Sequence, residues 1–290
     1  MDTFSEKTCQ GFTLVELLIA MALALVILTS LSSTFILQQK TYDVQQQIAE
    51  MNQNARAAMD IMSREIMLTG YGIVKNSSGN YDNLSWIDWV DDADGNDINF
   101  TSEPFFIQSG TGDSTESGGS DIIHIAGCFD GPAASLSSNA SADTTTIDVT
   151  SGAEFNTDKK KLICINGIEN TIVTEISGNT LTINPGLKNE YDTSVTTVPI
   201  CVVKVISYSI VQETEDGEKV YTLKRNENLG AGRQPLAENI VELGISQSGT
   251  SIEINPLTAQ TDKADPNYSE NNGHRRRSFQ TYLTPPNLTF

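Results

Sequence analysis

The stretch Gly11-Phe12-Thr13-Leu14-Val15-Glu16, continued by Leu17-Leu18-Ile19-Ala20-Met21-Ala22-Leu23-Ala24-Leu25-Val26-Ile27-Leu28, decides how the rest of the chain is read. From Phe12 to Leu37 the sequence holds 26 residues and one ionisable side chain, Glu16. A helix rises about 1.5 Å per residue, so this run is long enough to cross a hydrocarbon layer of roughly 30 Å. Ala, Leu and Met dominate it, and neither Pro nor Gly interrupts it. By length and composition it is a membrane helix.

The run is too long for the apolar core of a secretory signal, and no small-residue cleavage site of the Ala-x-Ala kind follows it. Glu16 is the anomaly, because a carboxylate in hydrocarbon is costly unless it is paired. A cut between Gly11 and Phe12 would offset that cost. The new α-ammonium on Phe12 would stand at the i, i+4 spacing from Glu16, where opposite charges meet on a helix. The same ammonium could pair with Glu16 of a neighbouring chain and turn a membrane penalty into an assembly register. The alternative is a plain signal anchor with Glu16 among the headgroups.

Residues 11 to 28 closely resemble the class III signal of type IV pilins and type II secretion pseudopilins. The resemblance implies that a membrane prepilin peptidase cuts after Gly11 and methylates the new N-terminal Phe12, with Glu16 as the assembly glutamate. It also implies the partners: that peptidase, other minor and major pilins, and an inner-membrane assembly platform. The precursor would sit in the bacterial inner membrane as a single-pass protein with its head outside the cytoplasm, then move to the pilus at the cell surface. The leader, residues 1–11, carries Asp2, Glu6 and Lys7 and is close to neutral. The positive-inside rule has little to act on there, so orientation rests on the resemblance. Cys9 leaves with the leader.

Residues 12–37 are thus the transmembrane and filament-core segment, and residues 38–70 its amphipathic continuation. Thr29-Ser30-Leu31-Ser32-Ser33-Thr34 stands where many family members carry a helix-breaking Pro; its hydroxyls either bond back to the helix or mark its exit from the membrane. Ile48, Met51, Ala55, Met59, Met62 and Ile66 recur at steps of three or four and form one apolar face, the seam that docks the helix onto its own domain. Gly70 and Gly72 end the helix. Residues 71–120 read as a loop-rich acidic segment with a low-complexity run from Ser109 to Ser120. Within it Asp92-Ala93-Asp94-Gly95 suggests calcium, but the EF-hand alignment puts Val90 at the first ligand position and Thr101 where a bidentate Glu belongs. The span Asp88–Asp97 reads instead as a solvated acidic loop.

From Asp121 the period changes to strands. Residues 121–205 read as a β-rich subdomain, and residues 206–290 as the antiparallel sheet of the head. Three hairpins are expected. Thr171–Ile176 turns at Gly178-Asn179 into Thr180–Ile183, and Val202–Val211 turns at Glu215-Asp216-Gly217 into Lys219–Leu223. Ile240–Ile245 turns at Gln247-Ser248-Gly249 into Ser251–Ile254. The order of the last hairpins, followed by Arg275-Arg276-Arg277 before a final strand, resembles the large minor pilins of the PilW type and the J-type minor pseudopilins. Pro285 and Pro286 interrupt the end of that strand. The expected fold class is α+β: a long N-terminal helix packed on a β-rich antiparallel head with an inserted β-subdomain.

Composition narrows the function. The 290 residues carry a net charge of −19, which argues against non-specific binding to nucleic acid or anionic lipid. No nucleophile elbow, phosphate loop or His-Glu-x-x-His helix is present, so no catalytic residue, metal or cofactor is expected. His124 lies in an apolar strand and reads as a satisfied core residue; His274 beside three arginines reads as exposed, and the arginines as a charged strand edge. Cys128, Cys164 and Cys201 are too few and too far apart for a zinc signature. In an oxidising envelope they give one disulfide and one leftover thiol. Three pairings are open, and Cys164 with Cys201 is favoured because both stand in strands that can be sheet neighbours. The chain reads as a minor pilin; a secretion pseudopilin, a tip adhesin or DNA-uptake subunit, and an anchored enzyme are the rivals.

Overall fold

A computed structural model describes residues 13–75, 79, 81, 100, 103–115, 118–155, 161–215, 217–227 and 232–288. The leader, Gly11, Phe12 and the acidic span Asp88–Asp97 lie outside them. The chain divides into two compact units, Met1–Glu50 and Met51–Phe290. Helix α1, Leu14–Met67, runs through the division, and the strands among the described residues belong to the second unit.

In the first unit the helix is long and apolar enough to cross a membrane. Leu14, Leu18, Leu25, Leu31 and Phe35 are all exposed, as a lipid-facing or partner-facing helix requires. The hydroxyl cluster bonds back to the backbone: Thr29 Oγ1 donates to the carbonyls of Leu25 (3.1 Å) and Val26 (2.9 Å), and Thr34 Oγ1 donates to that of Ser30 (3.0 Å). These bonds satisfy the hydroxyls within the helix, which continues unbroken.

In the second unit the helix becomes the spine of an α+β head that matches the pilin-like fold. Met51, Ala55, Ala58, Met62 and Ile66 are its buried residues. They repeat at four, three, four and four, the rhythm of one face of a 3.6-residue turn. Ala58 takes its place in this seam, whereas Met59 is only partly covered. Burial of each full-sized side chain contributes roughly 2 kcal/mol. Gly70 and Gly72, at φ 78° and 76°, carry the chain out of the helix, and the Gly70 amide donates to Ala126 O at 2.9 Å.

Three antiparallel sheets follow. The first has the order β1 (Phe105–Gly112), β2 (Ser120–Gly127), β9 (Lys204–Glu215), β10 (Glu218–Glu227) and β11 (Gly232–Glu238). The second is β12 (Ile240–Ser248), β13 (Ser251–Gln260) and β14 (Arg276–Leu283). The third has the order β3 (Ala134–Ser135), β8 (Pro199–Val202), β5 (Lys161–Ile165), β6 (Glu169–Ser177), β7 (Thr180–Asn184) and β4 (Thr146–Asp148). All three expected hairpins form, as β6–β7, β9–β10 and β12–β13.

Two strands are placed differently from the sequence reading. Phe105–Gly112 lies in the stretch read as loop yet forms β1, because its partner β2 supplies the apolar face that its own Gly, Ser and Thr residues lack. β2, read as the start of the subdomain, pairs instead with β9, with Ile125 opposite Ile206. The third sheet therefore occupies an excursion between β2 and β9. It has its own core of Ile163, Ile165, Leu181, Ile183 and Ile200 around Phe155. A second cluster, with Ala126, Cys128, Leu162, Cys164, Val203 and Val205, lies where that excursion begins and ends.

The second sheet is joined to the first through side chains. Asp121 on β2 accepts from the Gly110 amide at 2.9 Å and from the Ile245 amide at 2.7 Å, so one carboxylate bridges β1 and β12. Ser120 Oγ accepts from the Leu243 amide at 3.2 Å. These bonds satisfy the edge of β12 that would otherwise present bare amides.

Candidate assembly site at the helix start

Thr13 immediately precedes the first helical residue, and Glu16 stands three positions later. The Glu16 carboxylate accepts from the Thr13 amide and from Thr13 Oγ1, both at 2.9 Å. Thr13 Oγ1 in turn accepts from the Glu16 amide at 3.3 Å. This is a reciprocal cap of the Thr-x-x-Glu kind, which satisfies amides that the helix itself cannot. It also places the carboxylate at the positive end of the helix dipole. Glu16 is thus provided for within its own chain, without a cation. Sequence reasoning missed Thr13, although the Thr13-Leu14-Val15-Glu16 spacing carries the signal. Gly11 and Phe12, the expected cleavage pair, lie outside the described residues.

Elsewhere in the head the histidines serve structure. His124 is buried on β2, with Nδ1 2.6 Å from Ser207 Oγ and Nε2 3.3 Å from Gln108 Oε1. His274 is half-buried rather than exposed: its Nδ1 lies 2.7 Å from the carbonyl oxygen of Thr261. The three arginines part company. Arg275 pairs with Asp265 at 2.9 Å and stacks over Tyr268, Arg277 is exposed over Phe279, and Arg276 opens the edge strand β14. The Arg275 guanidinium, with the Asn267 amide, holds the Asp265 carboxyl below its ordinary range.

The three described cysteines, Cys128, Cys164 and Cys201, are thiols and lie in one cluster. Cys164 and Cys201 are direct partners across β5 and β8, as the favoured pairing required, but no disulfide joins them. The Cys201 sulfur beside it, together with burial, pushes the Cys128 thiol up, and the same interaction draws the Cys201 thiol down. Burial pushes Cys164 up to about 11. Nothing in the sequence places Cys128 beside the other two, because the contact needs the end of β2 and β8 to meet across more than 70 residues.

Comparison with known proteins places the first of these features. Residues 7–32 match the model of the prokaryotic N-terminal methylation motif, which is the signal of type IV pilins. The match supports a type IV pilin-like or pseudopilin protein. It covers about a tenth of the chain and leaves the head unassigned. No curated protein and no solved structure matches the chain significantly.

Proposed function

We propose that the protein is a minor pilin, a structural subunit of a type IV pilus that helps initiate assembly or stands at the filament tip. The observation that carries this reading is the methylation motif over residues 7–32, continued by an exposed apolar helix whose first turn holds a capped Glu16. Residues 1–11 are the leader, prepilin peptidase cuts after Gly11, and Phe12 becomes the methylated N-terminus. The apolar helix then leaves the membrane for a bundle of like helices, with the Phe12 ammonium and Glu16 of adjacent subunits setting the register. The large head, residues 71–290, suits a subunit present in few copies and directed outward. Its partners are other minor and major pilins and the inner-membrane platform. A minor pseudopilin of a type II secretion system would use the same motif in the same way.

The test is intact-mass and N-terminal analysis of the full chain co-expressed with an active prepilin peptidase, for wild type and Gly11→Ile. Loss of residues 1–11 with gain of one methyl group, abolished in the variant, is the expected result. An uncut wild type would sink the pilin reading. Filament counts and secretion assays in a strain lacking the protein then separate pilus from pseudopilus.

A further inference from the structure

We infer that β14 is an open strand edge that takes an extended, acidic segment of a partner chain, paired antiparallel to it with carboxylates at Arg277 and Arg276. The inference stands on the head alone and does not require the pilin reading.

The other strand edges are closed or blunted. β3 and β4, the end strands of the third sheet, meet through the Leu136–Val149 bridge. There the Ser137 amide donates to Asp148 O and the Thr150 amide to Ser135 O, both at 2.9 Å. That sheet is closed on itself, which removes its edges. β12 is covered by Asp121 and Ser120. β1 shifts register between Gln108 and Gly112, and β11 carries Pro235, which has no amide to offer. β14 has none of these devices. Its eight residues hold no proline, and among the described residues β13 is its strand neighbour. Where the two strands change register, the extra residue lies on β13, between Ile254 and Leu257.

The outward backbone groups follow from the register. The Thr261 amide donates to Arg275 O at 2.9 Å, so the backbone of Arg275 faces β13. Successive residues of a strand turn their amides and carbonyls to opposite sides. Arg277 and Phe279 therefore bond inward, whereas Ser278, Gln280 and Tyr282 point away from β13.

The side chains set what fits. Phe279 stands opposite Leu257, Thr281 opposite Ile254 and Leu283 opposite Ile252. Those β13 partners are fully buried, but Phe279, Thr281 and Leu283 are only half-buried. The apolar face thus runs out at β14, and an added strand with apolar residues at alternate positions extends it. At the start of β14 the exposed Arg277 lies over the Phe279 ring, 5.6 Å from its centroid, and Arg276 precedes it. From Ser278 to Leu283 no charge follows. Like charges facing each other destabilise a strand pair, so this edge rejects a basic strand and accepts an acidic one. A second copy of β14 offers no carboxylate to Arg277. The net charge of −19 acts on a free peptide in the opposite direction, which makes a preference for acid diagnostic of the edge.

The test uses the purified full-length chain in detergent and a fluorescein-labelled peptide, Val-Thr-Val-Thr-Val-Thr-Glu-Glu. Paired antiparallel, it sets its valines opposite Leu283, Thr281 and Phe279 and its glutamates opposite Arg277 and Arg276. Fluorescence anisotropy should show it binding roughly tenfold more tightly than its Lys-Lys counterpart. Amide exchange over residues 276–283 should slow on binding. Gln280→Pro removes an outward amide without touching a bond to β13, so it should abolish binding and leave the melting temperature within about 2 °C. Arg277→Glu should reverse the preference between the two peptides. Equal or tighter binding of the Lys-Lys peptide to the wild-type chain, or unchanged binding to Gln280→Pro, would overturn the inference. So would a dimer in sedimentation that Gln280→Pro dissolves, since a second copy would then hold the edge.

Discussion

Glu65, in the last turn of helix α1, and Arg225, on β10, stand 160 residues apart in the chain and meet as an ion pair at 3.0 Å. The Tyr208 hydroxyl on β9 donates to the same carboxylate. Arg225 continues to Glu227 at 3.2 Å, and Glu227 to Lys204 at 2.7 Å, so the helix end is held by a chain of charges lying across β9 and β10. Burial works against the Arg225 charge, yet the bonds to Glu65 and Glu227 raise its pKa overall. Burial together with the Glu65 carboxylate pushes the Tyr208 phenol up, so it stays a donor.

Arg225→Ala should destabilise the head by about 2 kcal/mol, below the full cost of breaking a buried pair because both side chains retain some exposure. Glu65→Gln combined with Arg225→Ala should cost less than the two single changes added together. Urea unfolding of the four proteins measures this. Strict additivity would show that the pair does not hold the helix end.

Met62 is fully buried at the centre of the helical seam. Met62→Ala removes three heavy atoms from a packed interior and should cost about 3 kcal/mol, whereas Met62→Leu should cost about 1 kcal/mol. The denaturation midpoint should shift with no change in slope. Equal effects of the two substitutions would mean that the seam is loosely packed.

At the other end of the helix, the cap and the proposed assembly role of Glu16 separate by substitution. Glu16→Leu should leave processing after Gly11 intact and lower filament counts at least tenfold, with Glu16→Gln between it and wild type. Thr13→Val should weaken the first helical turn, seen as faster amide exchange at Leu14 to Leu17, while filaments persist. Wild-type filament counts for Glu16→Leu would remove the register role.

Asp265 provides a pH signature. Its carboxyl is held below the ordinary range by Arg275, so its charge is bound more favourably in the folded head than in the unfolded chain. Stability from this pair is present in full above the unfolded Asp value of about 3.9 and is lost as pH falls through the lower folded value. Asp265→Asn should therefore show a smaller loss of stability between about pH 5 and pH 2 than wild type. Parallel curves for the two proteins would show that the pair is too solvated to contribute.

Much of the fold is legible locally. The three hairpins are written in alternating residues interrupted by Gly178-Asn179, Gly217 and Gly249, which turn the chain without any distant partner. The helical seam shows in the recurrence of Met51, Ala55, Met62 and Ile66, with Met59 misjudged because a step of three or four brings neighbouring faces within reach of the same stripe. β1 was not legible. Its sequence Phe-Phe-Ile-Gln-Ser-Gly-Thr-Gly is half apolar and half turn-like, and only pairing with β2 selects the strand. Within the candidate site, Glu16 is conspicuous as the one charge in an apolar run, while Thr13 is easily passed over because a hydroxyl announces nothing until its distance to Glu16 is seen.

What the sequence determined by itself is what short-range physics governs: an apolar helix of membrane length, its end at Gly70 and Gly72, and the hairpins of the head. What only the tertiary structure decided is which distant segments meet. β2 could complete its hydrogen bonds with any strand of suitable face, and only the folded head places Ile125 against Ile206. The same holds for Glu65 with Arg225 and for Cys164 with Cys201 across β5 and β8. Each such partnership requires closing a long loop, whose entropy is regained only when many contacts form together, so no local pattern in the chain encodes it.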